Sequence, residues 1–116
     1  MNNDKFFNDY IICALWSSIG DDGEPLDEEY DIDDIAPESL ESMRADCDDF
    51  VRAVENAGIE FESERAGHDF WLTRNGHGAG YWDGDYPVHG DTLTAMCKAY
   101  GSSDLYVGDD GKLYVS

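Results

Sequence analysis

An acidic block from residue 21 to residue 64 constrains the fold of this chain more than any other feature. It holds eighteen carboxylates and two arginines, so it contributes −16 (2 − 18) of the formal net charge of −20. High net charge by itself favours disorder. Because 41% of the 116 residues are apolar and 13% are aromatic, we instead expect a folded chain with an acidic face. This length predicts a single domain over residues 1–116.

Three helices are predicted. Residues 4–18 form the first, with Asp4 as its N-cap and apolar side chains around most of its circumference. Such a helix lies at the centre of a core or is shared with a partner. The second begins at Pro37 and ends before Gly58, and the third opens at residues 90–92 and ends at Gly101. The second helix is amphipathic: its acidic side lies opposite a predicted core face of Leu40, Met43, Cys47, Phe50, Val51 and Val54.

The other periodic segments predict β-structure. Residues 59–62 alternate apolar and acidic side chains, as a strand with one wet face does. The segments HDFWLTRNG and HGAGYWDG predict a hairpin that turns at residues 75–76, and DLYVGDDGKLYV predicts another that turns at residues 110–111 and pairs Tyr106 with Tyr114. The predicted fold is therefore α+β: an antiparallel β-sheet of two hairpins plus a strand, with about three helices packed against it.

The first two helices are joined by an acidic loop, residues 21–36, which shows no apolar periodicity. Low-complexity disorder is one interpretation of this loop. The other is an ordered loop held to the core by its scattered apolar residues, Leu26, Tyr30, Ile32 and Ile35.

No metal-binding pattern in the sequence is complete. An EF-hand loop needs oxygen ligands at positions 1, 3 and 5 and glycine at position 6. Counted from Asp31, positions 5 and 6 are Ile35 and Ala36; counted from Asp83, position 5 is Pro87. The histidines lack the spacing that places two imidazoles on one helical face; they are His68, His77 and His89.

Motifs for catalysis are equally incomplete. The glycine run NGHGAGYWDG matches no phosphate-binding loop, and no GxSxG sequence occurs. The three cysteines, Cys13, Cys47 and Cys97, lie far apart on apolar helical faces, which predicts buried, inert thiols rather than a disulfide framework or a zinc site. We therefore predict a protein that is not an enzyme, with no catalytic residue, metal or cofactor.

Charge and cysteine usage also limit the partners. A net charge of −20 disfavours direct binding to nucleic acid or to an anionic membrane surface, so a basic protein is the expected partner. The first sixteen residues, MNNDKFFNDYIICALW, fit neither a signal peptide nor a membrane span. The unpaired cysteines fit a reducing cytosol, and an intracellular protein is expected.

The carboxylates themselves are the candidate partner-binding residues. They occupy the loop, one side of the second helix and alternate positions of residues 59–62, which predicts one continuous negative surface that approximates the phosphate spacing of about one turn of duplex DNA. These residues are Asp21, Asp22, Glu24, Asp27, Glu28, Glu29, Asp31, Asp33, Asp34, Glu38, Glu41, Asp46, Asp48, Asp49, Glu55, Glu60 and Glu62.

Four segments give the chain a resemblance to known proteins: YIICALWSS, DIAPESLESMRADCDDF, GHDFWLTRNGHGAGYWD and DLYVGDDGKLY. They resemble a group of small acidic proteins encoded by tailed bacteriophages, and the similarity runs through most of the chain. The resemblance transfers no functional residue. It implies a context, the cytoplasm of a bacterial host, since small acidic phage proteins often act against host nucleic-acid machinery and several mimic DNA.

Two functional hypotheses follow. The first is a phage-type inhibitor that mimics DNA and occupies the basic groove of a host defence protein, such as a restriction, CRISPR or recombination nuclease. The second is a non-enzymatic adaptor that binds a partner through the first helix and an aromatic, glycine-rich hairpin, with acidity serving solubility. The hairpin aromatics are Phe70, Trp71, Tyr81 and Trp82, for which a place in the core is the alternative. A homodimer through the first helix is a further prediction, because that helix is apolar nearly all round and two acidic faces in line would lengthen a DNA-like surface.

Overall fold

The computed structural model describes residues 3–20, 22–61, 63–76, 81 and 86–116. Over these residues the chain forms four α-helices and one two-stranded antiparallel sheet, which confirms the α+β class. The helices are α1 (Asn3–Ser17), α2 (Pro37–Asn56), α3 (Ala66–Arg74) and α4 (Gly90–Cys97), and the strands are β1 (Leu105–Val107) and β2 (Leu113–Val115). Short 3₁₀ turns span Leu26–Glu28, Ile32–Asp34 and Lys98–Tyr100.

Helix α2 confirms the clearest sequence prediction. Pro37 opens it at a position where its missing N–H is not needed, and Gly58, with a φ of +75°, lies just beyond its end. Its buried side is made of the predicted Met43, Cys47, Phe50, Val51 and Val54, together with Ser39, whereas Leu40 is half-buried.

Helix α1 lies at the centre of the core, as one of the two predictions for it required. It packs chiefly on α3 and also on α2. Asp4 is inside the first turn rather than at the cap. The approach to α3 is so close that a Cβ atom on Gly67 would overlap the carbonyl oxygen of Phe6, so only glycine fits there. The core aromatics meet at this junction, where the Phe50 and Phe70 rings stack 4.2 Å apart.

The segment predicted as the first strand of a hairpin is helix α3, so that prediction is wrong. A short apolar run such as Phe70-Trp71-Leu72 does not distinguish a buried strand from a buried helix, and here all three side chains are buried. Asn75 and Gly76 end the helix rather than turn a hairpin: the Asn75 side chain donates to the carbonyl of Trp71, and Gly76 has a φ of +75°. The rest of that predicted hairpin, residues 77–80 and 82–84, lies outside the described residues.

The predicted strand at 59–62 is also wrong over its described part, because residues 59–61 form no strand. The N–H of Ile59 donates to the carbonyl of Val54, so the segment completes the C-terminal turn of α2. The alternating pattern has a simpler cause: Ile59 is buried, Glu60 is exposed and Phe61 is half-buried at the edge of the core.

The two remaining predictions of regular structure are confirmed. Helix α4 ends in a 3₁₀ turn closed by Gly101, with a φ of +68°, although His89 rather than Asp91 or Thr92 precedes its first residue. The C-terminal hairpin pairs Tyr106 with Tyr114. None of the helices in the described part of the chain is long and apolar enough to cross a membrane.

Candidate partner-binding surface

The structure describes fifteen of the seventeen predicted partner-binding carboxylates; Asp21 and Glu62 lie outside it. Twelve side chains are exposed: Asp22, Glu24, Asp27, Glu28, Glu29, Asp31, Asp33, Glu38, Glu41, Asp49, Glu55 and Glu60. The other three, Asp34, Asp46 and Asp48, are half-buried.

The densest part of this surface is the loop between α1 and α2. Residues 22–34 carry eight carboxylates and no lysine or arginine. The loop is ordered in the way the second interpretation predicted: Leu26 and Ile35 are buried, while Tyr30 and Ile32 pack against the core. From here on the name acidic loop refers to residues 22–34, the described part of the predicted loop that carries its carboxylates, and Ile35 follows it directly.

Local hydrogen bonds fix the shape of the acidic loop. Asp31 accepts from the N–H of Asp33, and Asp34 accepts from the N–H of Asp31, which together form a capping box. Asp22 similarly accepts from the N–H of Glu24. Asp31, from which one EF-hand loop was counted in the sequence, thus already accepts a hydrogen bond from a backbone N–H group.

Like charges lie close together between Asp22 and Glu28 of the acidic loop. Glu24 raises the pKa of the Glu28 carboxyl, chiefly by charge repulsion, and Asp27 and Asp22 add to the effect. The loop also leads directly into the N-terminus of α2, whose positive dipole end favours carboxylates. Glu38 in the first turn of α2 is favoured by that dipole, whereas the carboxylates that act on Glu28 lie outside the helix.

On α2 the charge is less available than the sequence predicted. Three of its six acidic side chains form ion pairs with arginines. Two of these three carboxylates are half-buried: Asp46 pairs with Arg74 at 2.8 Å, and Asp48 pairs with Arg44 at 3.1 Å. Asp49 lies 3.9 Å from Arg52 and accepts from the Tyr100 hydroxyl. The remaining three, Glu38, Glu41 and Glu55, join no salt bridge within the described residues.

The charge density can be compared with that of DNA. The twenty residues of α2 span about 30 Å, a length over which duplex DNA carries roughly eighteen phosphates. Helix α2 offers six carboxylates over that length and loses part of their charge to arginines. The acidic loop offers eight in thirteen residues. The acidic loop is therefore the part of the described surface with the most carboxylates per residue, and α2 follows it in the chain with a thinner row.

The histidines and cysteines were the groups weighed in the sequence for metal binding or catalysis. No cluster of three or more His, Cys, Asp or Glu side chains among these residues is arranged to hold a metal ion. His77 lies outside the described residues. Cys13, Cys47 and Cys97 are free and buried, and burial raises the pKa of the Cys13 and Cys97 thiols to about 12.

The aromatic residues named for the adaptor hypothesis belong mainly to the core. Phe70, Trp71 and Tyr81 are at most 2% exposed, and the Tyr81 hydroxyl donates to the carbonyl of Ala66. Trp82 lies outside the described residues. The core interpretation of this cluster is confirmed for the three described members.

Sequence reasoning missed two features near this surface. Arg74 is a buried cation whose partners lie up to 64 residues away, and nothing in the local pattern marks it. Ile12 and Trp16 are 61% and 56% exposed on one side of α1. The helical pattern of α1, apolar nearly all round, could not show which side the fold leaves uncovered.

Comparison with protein-family models, with curated proteins and with solved structures found no match to this chain.

Proposed function

We propose that this chain is a non-enzymatic, phage-type inhibitor that presents the acidic loop, extended by the exposed side of α2, to the basic nucleic-acid groove of a host defence protein. The observation that carries the proposal is the acidic loop itself: eight carboxylates, seven of them exposed, with no cation in the same segment.

Order in the acidic loop supports binding. Buried Leu26 and Ile35 and the capping box at Asp31 hold the backbone before a partner arrives, so little conformational entropy is lost on association. The repulsion that raises the pKa of Glu28 is relieved when a cation approaches. A basic groove supplies such cations, and long-range attraction between opposite charges speeds the encounter.

The test is competition with DNA on a panel of basic restriction, CRISPR and recombination nucleases. Binding should displace duplex DNA and weaken steeply between about 50 and about 500 mM sodium chloride, because salt screens the attraction. Binding that is independent of salt, or that leaves DNA in place, would refute the proposal.

A matched pair of variants separates the acidic loop from net charge. The loop variant replaces Asp27, Glu28 and Glu29 with their amides. The control changes net charge equally by replacing three exposed aspartates elsewhere, Asp91, Asp104 and Asp109, with asparagine. We expect the loop variant to lose at least about tenfold in affinity, equivalent to about 1.4 kcal/mol, and the control to stay within about twofold. Equal losses would show that only total charge matters.

A further inference from the structure

Helix α1 leaves an apolar strip uncovered on a protein that is otherwise strongly acidic. Ile12 and Trp16 lie one helical turn apart and are 61% and 56% exposed, and Ile19, just beyond the helix, is 60% exposed. The Trp16 ring lies 6.2 Å from the imidazole of His68 on α3, which extends the strip sideways. We call Ile12, Trp16 and Ile19 the α1 strip. Single exposed apolar residues are ordinary, whereas three in one row mark an interaction site.

The border of the α1 strip beside Ile12 has balanced charge. Ile12 and His68 line one surface depression together with two cations, Lys5 and Arg65, and two carboxylates, Asp9 and Glu64. Their charges sum to zero (2 − 2), in a chain whose formal net charge is −20. Lys5 contacts Asp9 at 2.7 Å, so opposite charges lie side by side on this border.

We propose that the α1 strip is the interface of a symmetric homodimer. Two copies that each carry a charge of −20 repel one another wherever acidic surfaces meet, and this neutral border adds no net charge repulsion to the contact. A two-fold axis brings the same patch of both copies together, so opposite charges on the border can pair across it while the apolar side chains are buried. A basic target is drawn instead to the acidic loop.

The position of the acidic loop favours an antiparallel arrangement of the two α1 helices. Ile19 forms a bridge to Pro25, so the acidic loop adjoins the C-terminal end of the strip, whereas Lys5 lies at the opposite end. Antiparallel packing places each acidic loop toward the Lys5 end of the other copy and keeps the two loops apart. The dimer inference does not depend on the proposed function.

Sedimentation equilibrium of the full chain at micromolar concentration tests the dimer. We expect the dimer to tighten with added salt, because screening weakens repulsion between the copies while burial of the strip remains. That salt dependence is opposite in sign to the one expected for target binding, so failure of one proposal is distinguishable from failure of the other. A monomer at all salt concentrations would overturn the inference.

Substitutions identify the surface. Trp16→Glu should raise the dimer dissociation constant at least about thirtyfold, the effect of losing a central aromatic anchor. Tyr106→Glu is the control, since Tyr106 is a 48% exposed aromatic residue on β1 that is not a member of the α1 strip. Because Trp16 is exposed, the variant should keep its far-ultraviolet circular dichroism. If Trp16→Glu dimerises like the unchanged chain, or if Tyr106→Glu disrupts the dimer equally, the α1 strip is not the interface.

Discussion

Replacing Arg74 with methionine removes a buried cation that joins four segments of the chain. Its guanidinium donates to the Tyr10 hydroxyl, to Asp46 and to the backbone carbonyls of Tyr100 and Gly101, all at 2.8–2.9 Å. The side chain is only 5% exposed. Burial lowers the pKa of Arg74, but Tyr10 and Asp46 raise it more, so the guanidinium stays charged.

The expected cost follows from what methionine leaves unbonded. The Tyr10 hydroxyl is fully buried, and loss of its partner costs about 1–3 kcal/mol. Asp46 is 39% exposed and can be hydrated, so its lost ion pair adds less than about 1 kcal/mol. The two carbonyls lie at the surface end of the site and add roughly 1 kcal/mol. The sum is about 3 kcal/mol, a large share of the 5–15 kcal/mol typical of a domain.

Arg44→Met is the matched control. Arg44 also pairs with an aspartate of α2, but its side chain is 37% exposed and its second partner, Asp4, is 79% exposed. We expect a loss below about 1 kcal/mol for Arg44→Met. Urea unfolding followed by circular dichroism measures both variants. The reasoning is refuted if Arg74→Met loses less than about 1.5 kcal/mol, or if the two substitutions cost the same.

Two further predictions concern a close contact and a titration. Gly67→Ala should destabilise the fold by more than about 3 kcal/mol, because a Cβ there overlaps the Phe6 backbone. Gly76→Ala is the control: it is strained only by its positive φ and should cost about 1 kcal/mol. Equal urea midpoints for the two variants would contradict this prediction. The hydrogen bond to Asp110 raises the pKa of Tyr114 to about 12, so its stabilisation is present below the ordinary value of 10.0 and lost as pH rises through about 12. Carbon-13 NMR of the phenol ring should show Asp110→Asn lowering that pKa toward 10, and an unchanged titration would exclude the bond as its cause.

The parts of the fold that the sequence predicts are those with local signals. Helix α2 has a proline start, a glycine stop and one continuous apolar side, and the C-terminal hairpin has an Asp-Gly turn where Gly111 adopts a φ of +83°. Helix α3 has no such marks. Its apolar run is three residues long, and its helical state depends on burial against α1, which only the tertiary structure supplies.

The candidate partner-binding surface likewise combines features that the sequence predicts locally with features that depend on tertiary structure. Which residues are acidic, and which apolar residues hold the acidic loop, could be read from the sequence, and the structure confirms that Leu26 and Ile35 are buried. The pairing of α2 carboxylates with arginines could not be predicted from the sequence, because Asp46 and Arg74 are 28 residues apart. The uncovered side of α1 likewise depends on where α2 and α3 pack.

The close approach of Gly67 to Phe6 has a consequence for synthesis of the chain. Helix α1 is made before α3, and about sixty residues separate the two sides of this contact. At the usual 5–20 residues per second, α1 waits roughly 3–12 s for the helix that covers it. During that interval Phe6, Tyr10 and Ile11, all buried in the finished fold, are exposed to the ribosome surface and to chaperones. Helix α1 is thus completed late, and the risk of aggregation falls in that interval.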